Sequence, residues 1–340
     1  MPVAGIDERA VSMWMSANVE GAEPPFVFRP IPGGNSNLTY RVRGSNGREF
    51  ALRRPPMGRI LESAHDMARE YRLISALQGS RVPVPPALGL CSDPGVNEAP
   101  FYVMGFVDGV VLHDRDAGGL IPPDDRPSVA NSAVRVLANL HLLDPDEIGL
   151  GDLGRREGYL QRQLYRWARQ LEASKQRDLP AMDRARGLLE DRVPRQERAS
   201  VVHGDYRLGN LIVDGGKVRA VVDWELCTLG DPLADLGYLA LDWIGPDEPS
   251  LWRSSAIQAG GFPRRDDMVA MYMRLTGADV SRIRYYEAFQ SWRLAAILEG
   301  VYARYLHGAM ANIAEVDLGE LARSVERLAD HALEQLGVGC

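Results

Sequence analysis

Between Phe26 and about Phe106 the apolar positions come in short runs broken by turn residues, whereas beyond Gly109 they recur at helical spacing over long stretches. In the first region Leu38 to Val42 and Glu49 to Arg53 flank Ser45-Asn46-Gly47, and an Asn-Gly turn between two such runs predicts a hairpin. A helix is expected from Ala64 to Leu77, where Met67, Tyr71, Ile74 and Leu77 form a stripe with Glu70 beside it. Pro83 to Pro86 enforces an extended segment, and Phe101 to Met104 reads as a buried strand ending at Gly105.

The second region predicts long helices over 128–143, 158–174 and 282–307. One island interrupts them. Residues Ala199 to Trp224 give an apolar pair, a polar loop, a short strand Leu211-Ile212-Val213, an Asp214-Gly215-Gly216 turn and a strand from Arg219 to Val222. The expected fold class is α+β with two lobes: residues 1–107 form a small lobe built on an antiparallel sheet, and 108–340 a larger, mainly helical one.

Bulk properties narrow the functions. A chain of 340 residues, 45% hydrophobic and 25% charged, is long enough for two cores. Its formal charge of −7 leaves no global positive field, so nucleic acid is not an expected partner. The start carries Asp7 and Glu8 instead of a basic and then apolar leader, and no apolar run reaches the roughly 20 residues that a bilayer demands. A cytoplasmic location without membrane attachment is the expectation. Cys91, Cys227 and Cys340 have no paired spacing, so reduced structural thiols are expected instead of a zinc or redox motif. Oligomeric state is not legible.

The island carries the chemistry. Its loop reads His203-Gly204-Asp205-Tyr206-Arg207-Leu208-Gly209-Asn210, and the following hairpin ends in Asp223-Trp224-Glu225. Phosphoryl transfer needs a carboxylate to orient or deprotonate the attacking hydroxyl, and oxygen ligands to hold magnesium against phosphates. Asp205 supplies the first, and Asn210 with Asp223 the second, a suitable pair because magnesium takes only one or two carboxylates alongside water and phosphate. An isolated His-x-Asp is ordinarily a turn, and a lone Asp-Trp-Glu ordinarily ends a strand. Their joint order around a hairpin favours the chemical reading.

This block resembles the aminoglycoside phosphotransferase and choline kinase superfamily, whose signature is His-Gly-Asp, Asn five residues after the Asp, then a hairpin and Asp-Trp or Asp-Phe. The likeness runs from Gly33 to about His307. It implies a protein-kinase-like fold that uses ATP and Mg2+, with Asp205 catalytic, Asn210 and Asp223 as metal ligands, and His203 shaping the loop. Gly230-Asp231-Pro232-Leu233-Ala234-Asp235-Leu236 also matches. Asp231 before proline suits a helix N-cap, and Asp235 resembles the residue that braces the catalytic loop.

In the small lobe, Gly33-Gly34-Asn35-Ser36-Asn37 can turn backbone N–H groups toward phosphate, although such a run is also an ordinary turn. Gly33, Gly34, Ser36 and Asn37 are therefore candidate nucleotide-binding residues. Kinase-like folds pair a strand cation with a helical glutamate, and here Ala51-Leu52-Arg53 stands where Ala-Ile-Lys is usual, with Glu70 as partner. Arginine's planar fork does not reproduce a lysine point charge. Arg54 competes for the role, but strand alternation points it to the opposite face. Gly105-Phe106-Val107 resembles the interlobe segment whose backbone meets adenine.

Arg155 to Asp178 sets seven basic against three acidic side chains, a net of +4 in an acidic chain, and Arg162, Arg166 and Arg169 share one helical face. Such a stripe suits an anionic acceptor better than a polycationic aminoglycoside, while a solvated face remains the plain alternative. The segments Phe50 to Pro56, Ser63 to Glu70 and Val221 to Glu225 resemble kinase domains fused to, or encoded near, acyl-CoA dehydrogenases. That branch phosphorylates hydroxyacyl-CoA thioesters, notably at the 4-hydroxy position, and so implies a CoA thioester as the small-molecule substrate. An aminoglycoside, amino-alcohol or sugar kinase, and a nucleotide-binding regulatory pseudokinase, are the alternatives. His141 ends an apolar helix without a second ligand, and His65, His113, His307 and His331 are scattered, so no metal site is expected from them. Neither a Gly-x-Ser-x-Gly elbow nor a Gly-Lys-Ser/Thr loop occurs.

Overall fold

Asp7 accepts the Ala10 N–H at 2.9 Å and so caps α1 (Glu8–Asn18), which lays Val11 and Met15 into the core. This helix belongs to the first of two units in a computed structural model that describes residues 3–32, 37–57, 66–308 and 316–338. One unit is Met1–Gly109 with Arg219–Leu226; the other is Val110–Val218 with Cys227–Cys340.

The first unit contains β1 (Val27–Pro30), β2 (Leu38–Arg43), β3 (Glu49–Arg54), α2 (Met67–Leu77), β4 (Ala87–Cys91), the short α3 (Pro94–Asn97) and β5 (Phe101–Gly105). Its strands make one antiparallel sheet in the order β1-β2-β3-β5-β4. The expected hairpin is present, with Leu38 opposite Arg54 and Gly47 at φ +80° in the turn. Phe28, Tyr40, Val42, Phe50, Leu52, Phe101 and Val103 form its core with Val11 and Met15, and Trp14 meets Phe101 edge-on at 5.0 Å. Asp66 caps α2 by accepting the Arg69 N–H at 2.9 Å; residues 58–65, where the expected helix began, lie outside the described residues.

The second unit is mainly helical. It runs through β6 (Val110–Val111), α4 (Arg115–Gly119), α5 (Arg126–Leu142), α6 (Tyr159–Ser174), α7 (Pro180–Asp191), β7 (Ser200–Val202) and β8 (Leu211–Asp214). The chain passes to the first unit within β9 (Lys217–Val221) and returns for β10 (Thr228–Gly230), α8 (Leu233–Asp242), α9 (Arg265–Thr276), α10 (Ile283–Leu306) and α11 (Leu318–Gln335). β7 pairs with β10, and β6 with β8, both antiparallel. The core gathers Leu164 and Trp167 of α6, Phe289 and Trp292 of α10, and Val325 and Leu328 of α11.

Helices α5, α6 and α10 begin and end within two residues of the expected bounds. By contrast α1, α7, α9 and α11 fall outside the elements expected from periodicity. No helix among the described residues is long and apolar enough to cross a membrane.

Candidate active site

Two clusters of polar side chains, one in each unit, hold the residues singled out by the motifs. In the first unit, alternation along β3 sends Arg53 and Arg54 to opposite faces. Arg54 is buried, with its guanidinium on the backbone oxygens of Gly5 and Pro55. Arg53 instead meets Glu70 of α2, Nε to Oε2 at 3.1 Å, and Asp223, Nη2 to Oδ1 at 2.5 Å. Sequence alternation therefore selects the arginine that pairs with the helical glutamate.

Glu70 is 2% exposed and fully engaged, since its Oε2 also accepts the Tyr102 hydroxyl at 3.0 Å and its Oε1 the Asn37 amide at 3.1 Å. Burial pushes the Glu70 carboxyl up to about 7; Arg53 opposes this and Asp223 adds to it. Burial also works against the Arg53 charge, yet Glu70 and Asp223 together more than offset it, so its pKa is raised and it stays protonated. Asp223 follows β9 with φ +69°, a left-handed conformation that few residues other than glycine adopt, and its side chain keeps 29% exposure.

Of the phosphate-turn candidates, Gly33, Gly34 and Ser36 lie outside the described residues. Asn37 is buried; its amide nitrogen bridges Glu70 and Glu225 Oε2, the latter at 3.2 Å, and its Oδ1 has no partner among the described residues. In the Gly105-Phe106-Val107 segment, the Gly105 N–H donates to Pro86 O at 2.8 Å and the Phe106 N–H to Glu49 O at 3.4 Å. The Val107 N–H has no acceptor among the described residues.

In the second unit the loop after β7 is held from below by α8. Asp235 accepts the His203 N–H at 2.7 Å and the Gly204 N–H at 2.9 Å, and Asp242 accepts the Leu208 N–H at 3.0 Å. Two turns separate these aspartates, so they share the loop-facing side of an otherwise apolar helix. His141 lies between Asp235 Oδ2 at 3.2 Å and the Tyr272 hydroxyl at 2.7 Å, a packed histidine and not a metal ligand. His203 is fully buried, and its Nδ1 accepts the Asp205 N–H at 3.2 Å. Asp231 accepts the Leu233 N–H at 3.1 Å at the start of α8 and the Tyr286 hydroxyl at 2.7 Å.

So anchored, the loop presents Asp205 with 20% exposure. The Asn210 amide nitrogen donates to Asp205 Oδ2 at 2.6 Å and to its backbone oxygen at 2.8 Å, while Arg207 Nε stands 3.4 Å from Oδ2. This leaves the Asn210 amide oxygen without a donor among the described residues, a hard oxygen suited to a cation.

Asp242, which holds the Leu208 N–H, and Tyr272, which holds His141, were not singled out by the sequence. Two aspartates inside the apolar run Leu233 to Asp242 are a usable signal, because a buried carboxylate needs donors.

A family model, the phosphotransferase enzyme family, matches residues 27–273. Acyl-CoA dehydrogenase family member 10 of Mus musculus is 37% identical over 311 residues, which is 90% of this chain but 29% of that protein, so the chain spans under a third of that relative's length. A crystal structure of a candidate aminoglycoside phosphotransferase from Ralstonia eutropha JMP134 is 34% identical with a TM-score of 0.80, covering 96% of this chain and 98% of the other. At 17% identity and a TM-score of 0.58, a thermostable mutant of aminoglycoside phosphotransferase APH(4)-Ia, in ternary complex with ADP and hygromycin B, shares the fold; the match covers 94% of this chain and 98% of that one. A strand arginine paired with a helical glutamate, an aspartate-asparagine loop braced from one helix and a match over most of the length agree on one conclusion: this chain belongs to the phosphotransferase enzyme family.

Proposed function

We propose that the chain is a magnesium- and ATP-dependent kinase that phosphorylates the alcohol of a hydroxyacyl-CoA thioester. The observation that carries the kinase reading is the Asp205 carboxylate, partly exposed yet fixed by the Asn210 amide on a loop pinned by Asp235 and Asp242. In this reading Asp205 orients the acceptor hydroxyl and takes its proton as the alcohol oxygen attacks the γ-phosphorus; the bond from that phosphorus to the β–γ bridging oxygen breaks and ADP leaves. Arg53, kept charged by Glu70, clamps the α- and β-phosphates. The Val107 N–H, without an acceptor among the described residues, is the donor for the adenine edge.

The donor set fits magnesium. Asn210 offers an amide oxygen without a donor among the described residues, and Asp223 a partly exposed carboxylate; each is a hard oxygen of the kind that magnesium takes. When bound, the ion would neutralise charge on the transferring phosphoryl group.

The thioester part of the reading draws on the likeness to acyl-CoA dehydrogenase family member 10 and on the basic face of α6. One observation favours a second reading, a regulatory nucleotide-binding module: Arg53 contacts Asp223 directly. Mg-ATP turnover over a panel of 4-hydroxyacyl-CoA, 3-hydroxyacyl-CoA, choline and aminoglycosides, with product mass as readout, separates the readings. Turnover of the hydroxyacyl-CoA is expected, with Asp205→Asn lowering kcat by roughly 10²- to 10⁴-fold. Phosphorylation of aminoglycosides alone would overturn the substrate, and nucleotide binding with no acceptor turned over would favour the regulatory module.

A further inference from the structure

Arg293 of α10 is 5% exposed, and no carboxylate pairs with it among the described residues. Its Nη1 donates to Gln290 Oε1 at 2.9 Å, and Gln290 is itself held by donating to Ala234 O at 2.7 Å. The guanidinium carbon lies 5.2 Å from the Trp167 ring centroid and 5.6 Å from that of Tyr238, while Nε is buried without a hydrogen-bond acceptor. A neutral amide and two aromatic faces offset only part of the cost of burying a cation, which is usually met by a carboxylate.

A second cation stands beside it. Arg166 of α6 lies 5.2 Å from the same Trp167 ring, also without a carboxylate partner among the described residues. Desolvation, and then repulsion by Arg293, lowers the Arg166 pKa. The rest of the basic face is differently occupied: Arg162 is turned onto the backbone oxygens of Glu157 and Arg155, the latter at 2.7 Å, and Arg169 lies 5.9 Å from the Tyr165 ring.

Tyr238 of α8 connects this pair to the loop. Burial raises its pKa and the Asp205 charge adds to that, while Arg207, Arg293 and Arg253 pull it down; three residues after Asp235 and four before Asp242, it lies on the loop-facing side of α8. Its hydroxyl makes no hydrogen bond among the described residues. Arg207 and Arg253 converge at Gly209, where an added Cβ would overlap Arg207 Nη1 and lie 3.6 Å from Arg253 Nη1. Arg207 and Arg253 have carboxylates, Asp205 and Asp242; Arg293 and Arg166 have none among the described residues.

We propose that Arg293, with Arg166 at its rim and the Tyr238 hydroxyl beside it, forms a subsite for an oxyanion carried by the phosphate acceptor, as specificity residues of the reaction at Asp205. The occupant is a phosphate or carboxylate oxygen set, which would supply the missing counter-charge and accept from the open Nε. This rests on the reading of Asp205 as the catalytic carboxylate. For a CoA thioester the anion is a coenzyme A phosphate; for a free hydroxy acid it is the carboxylate.

Calorimetric titration of coenzyme A, 3′-dephospho-coenzyme A and 4-hydroxybutyrate into the full chain, wild type and Arg166→Gln, Arg293→Gln and Arg293→Lys, decides the matter, together with steady-state kinetics on 4-hydroxyacyl-CoA. Arg293→Gln is expected to weaken binding of the favoured probe, and to raise acceptor KM, by roughly 10- to 100-fold with kcat changed much less. Arg166→Gln is expected to cost roughly 3- to 10-fold, and Arg293→Lys to recover part of the loss. Loss confined to the coenzyme A probes identifies a phosphate; loss confined to the hydroxy acid identifies a carboxylate.

Unchanged binding and KM in Arg166→Gln and in folded Arg293→Gln would overturn the subsite, as would a wild type that binds none of the probes. If Arg293→Gln does not fold, Arg166→Gln and Arg293→Lys decide alone. Weakened coenzyme A binding in a protein that does not phosphorylate hydroxyacyl-CoA would leave the subsite standing and sink the substrate reading. Turnover with unaltered KM in the variants would do the reverse.

Discussion

Asp223 combines a left-handed backbone with a carboxylate held 2.5 Å from Arg53, and these two properties separate under substitution. Asparagine tolerates φ near +69° and preserves the shape, but loses the charge that would bind a cation. Asp223→Asn should therefore lower kcat by roughly 10²- to 10⁴-fold and raise the magnesium concentration needed, with little change in Tm. Asp223→Ala should lose activity similarly and in addition about 1 kcal/mol of stability, because a Cβ without a local hydrogen bond is strained there. Kinetics over a magnesium series, with melting curves for both variants, check this; an Asp223→Asn enzyme with unaltered magnesium dependence would refute the ligand role. The neighbouring Arg53 was legible for a simple reason: strand alternation is a rule of period two, and one residue of offset distinguished it from Arg54. Arg293 was not legible. Its open Nε, and the lack of a counter-charge among the described residues, arise only once α6, α8 and α10 have packed around it.

At the scale of elements, α8 does two jobs with one face. Its apolar residues enter the helical core, while Asp235 and Asp242 accept three backbone N–H groups of the loop after β7. Asp235→Asn replaces one of two accepting oxygens by a donor, so either the His203 or the Gly204 N–H is left buried and opposed. The expected cost is about 3 kcal/mol in denaturant unfolding, with a fall in kcat larger than any change in nucleotide KM, since the loop and not the Arg53–Glu70 pair is displaced. Unfolding and kinetics within error of wild type would remove the bracing role. The loop motif itself was readable because its chemistry is contiguous from His203 to Asn210. Helices α1, α9 and α11 were not, although Asp7 and Asp317 cap α1 and α11 with the ordinary N-cap bond, because capping signals carry weight only beside a clear apolar stripe. Arg162 shows the limit of a helical wheel: it lies on the face of Arg166 but is spent on the loop before α6.

For the whole molecule, acidity has opposite consequences at the surface and in the interior. Glu320 and Asp279 have pKa values lowered, the first by its hydrogen bonds from Arg327 and Arg323 and the second by its bonds to Ser281, so their contribution is lost only in acid below the usual carboxylate range. Each unit also buries a carboxyl pushed the other way: Glu70 in one and, in the other, Glu287 of α10, 6% exposed, which burial raises to about 7 against the pull of Arg265 and Arg284. For such a group the native state binds more protons than the unfolded chain between the ordinary value of 4.5 and about 7, so its effect on stability becomes less favourable as pH rises through that window. His331 has a pKa lowered by burial and acts in the opposite sense up to its ordinary 6.5, so the pH profile of wild type alone mixes the two. The difference between wild type and Glu287→Gln removes that mixture. Glu287→Gln should gain stability relative to wild type as pH rises from about 5 to about 7, at no more than about 1.4 kcal/mol per pH unit, and the gap should stay level above about pH 8. Urea midpoints measured at intervals from pH 5 to 8.5 on both proteins test this, and a gap that is constant across the range would mean that Glu287 ionises as if exposed.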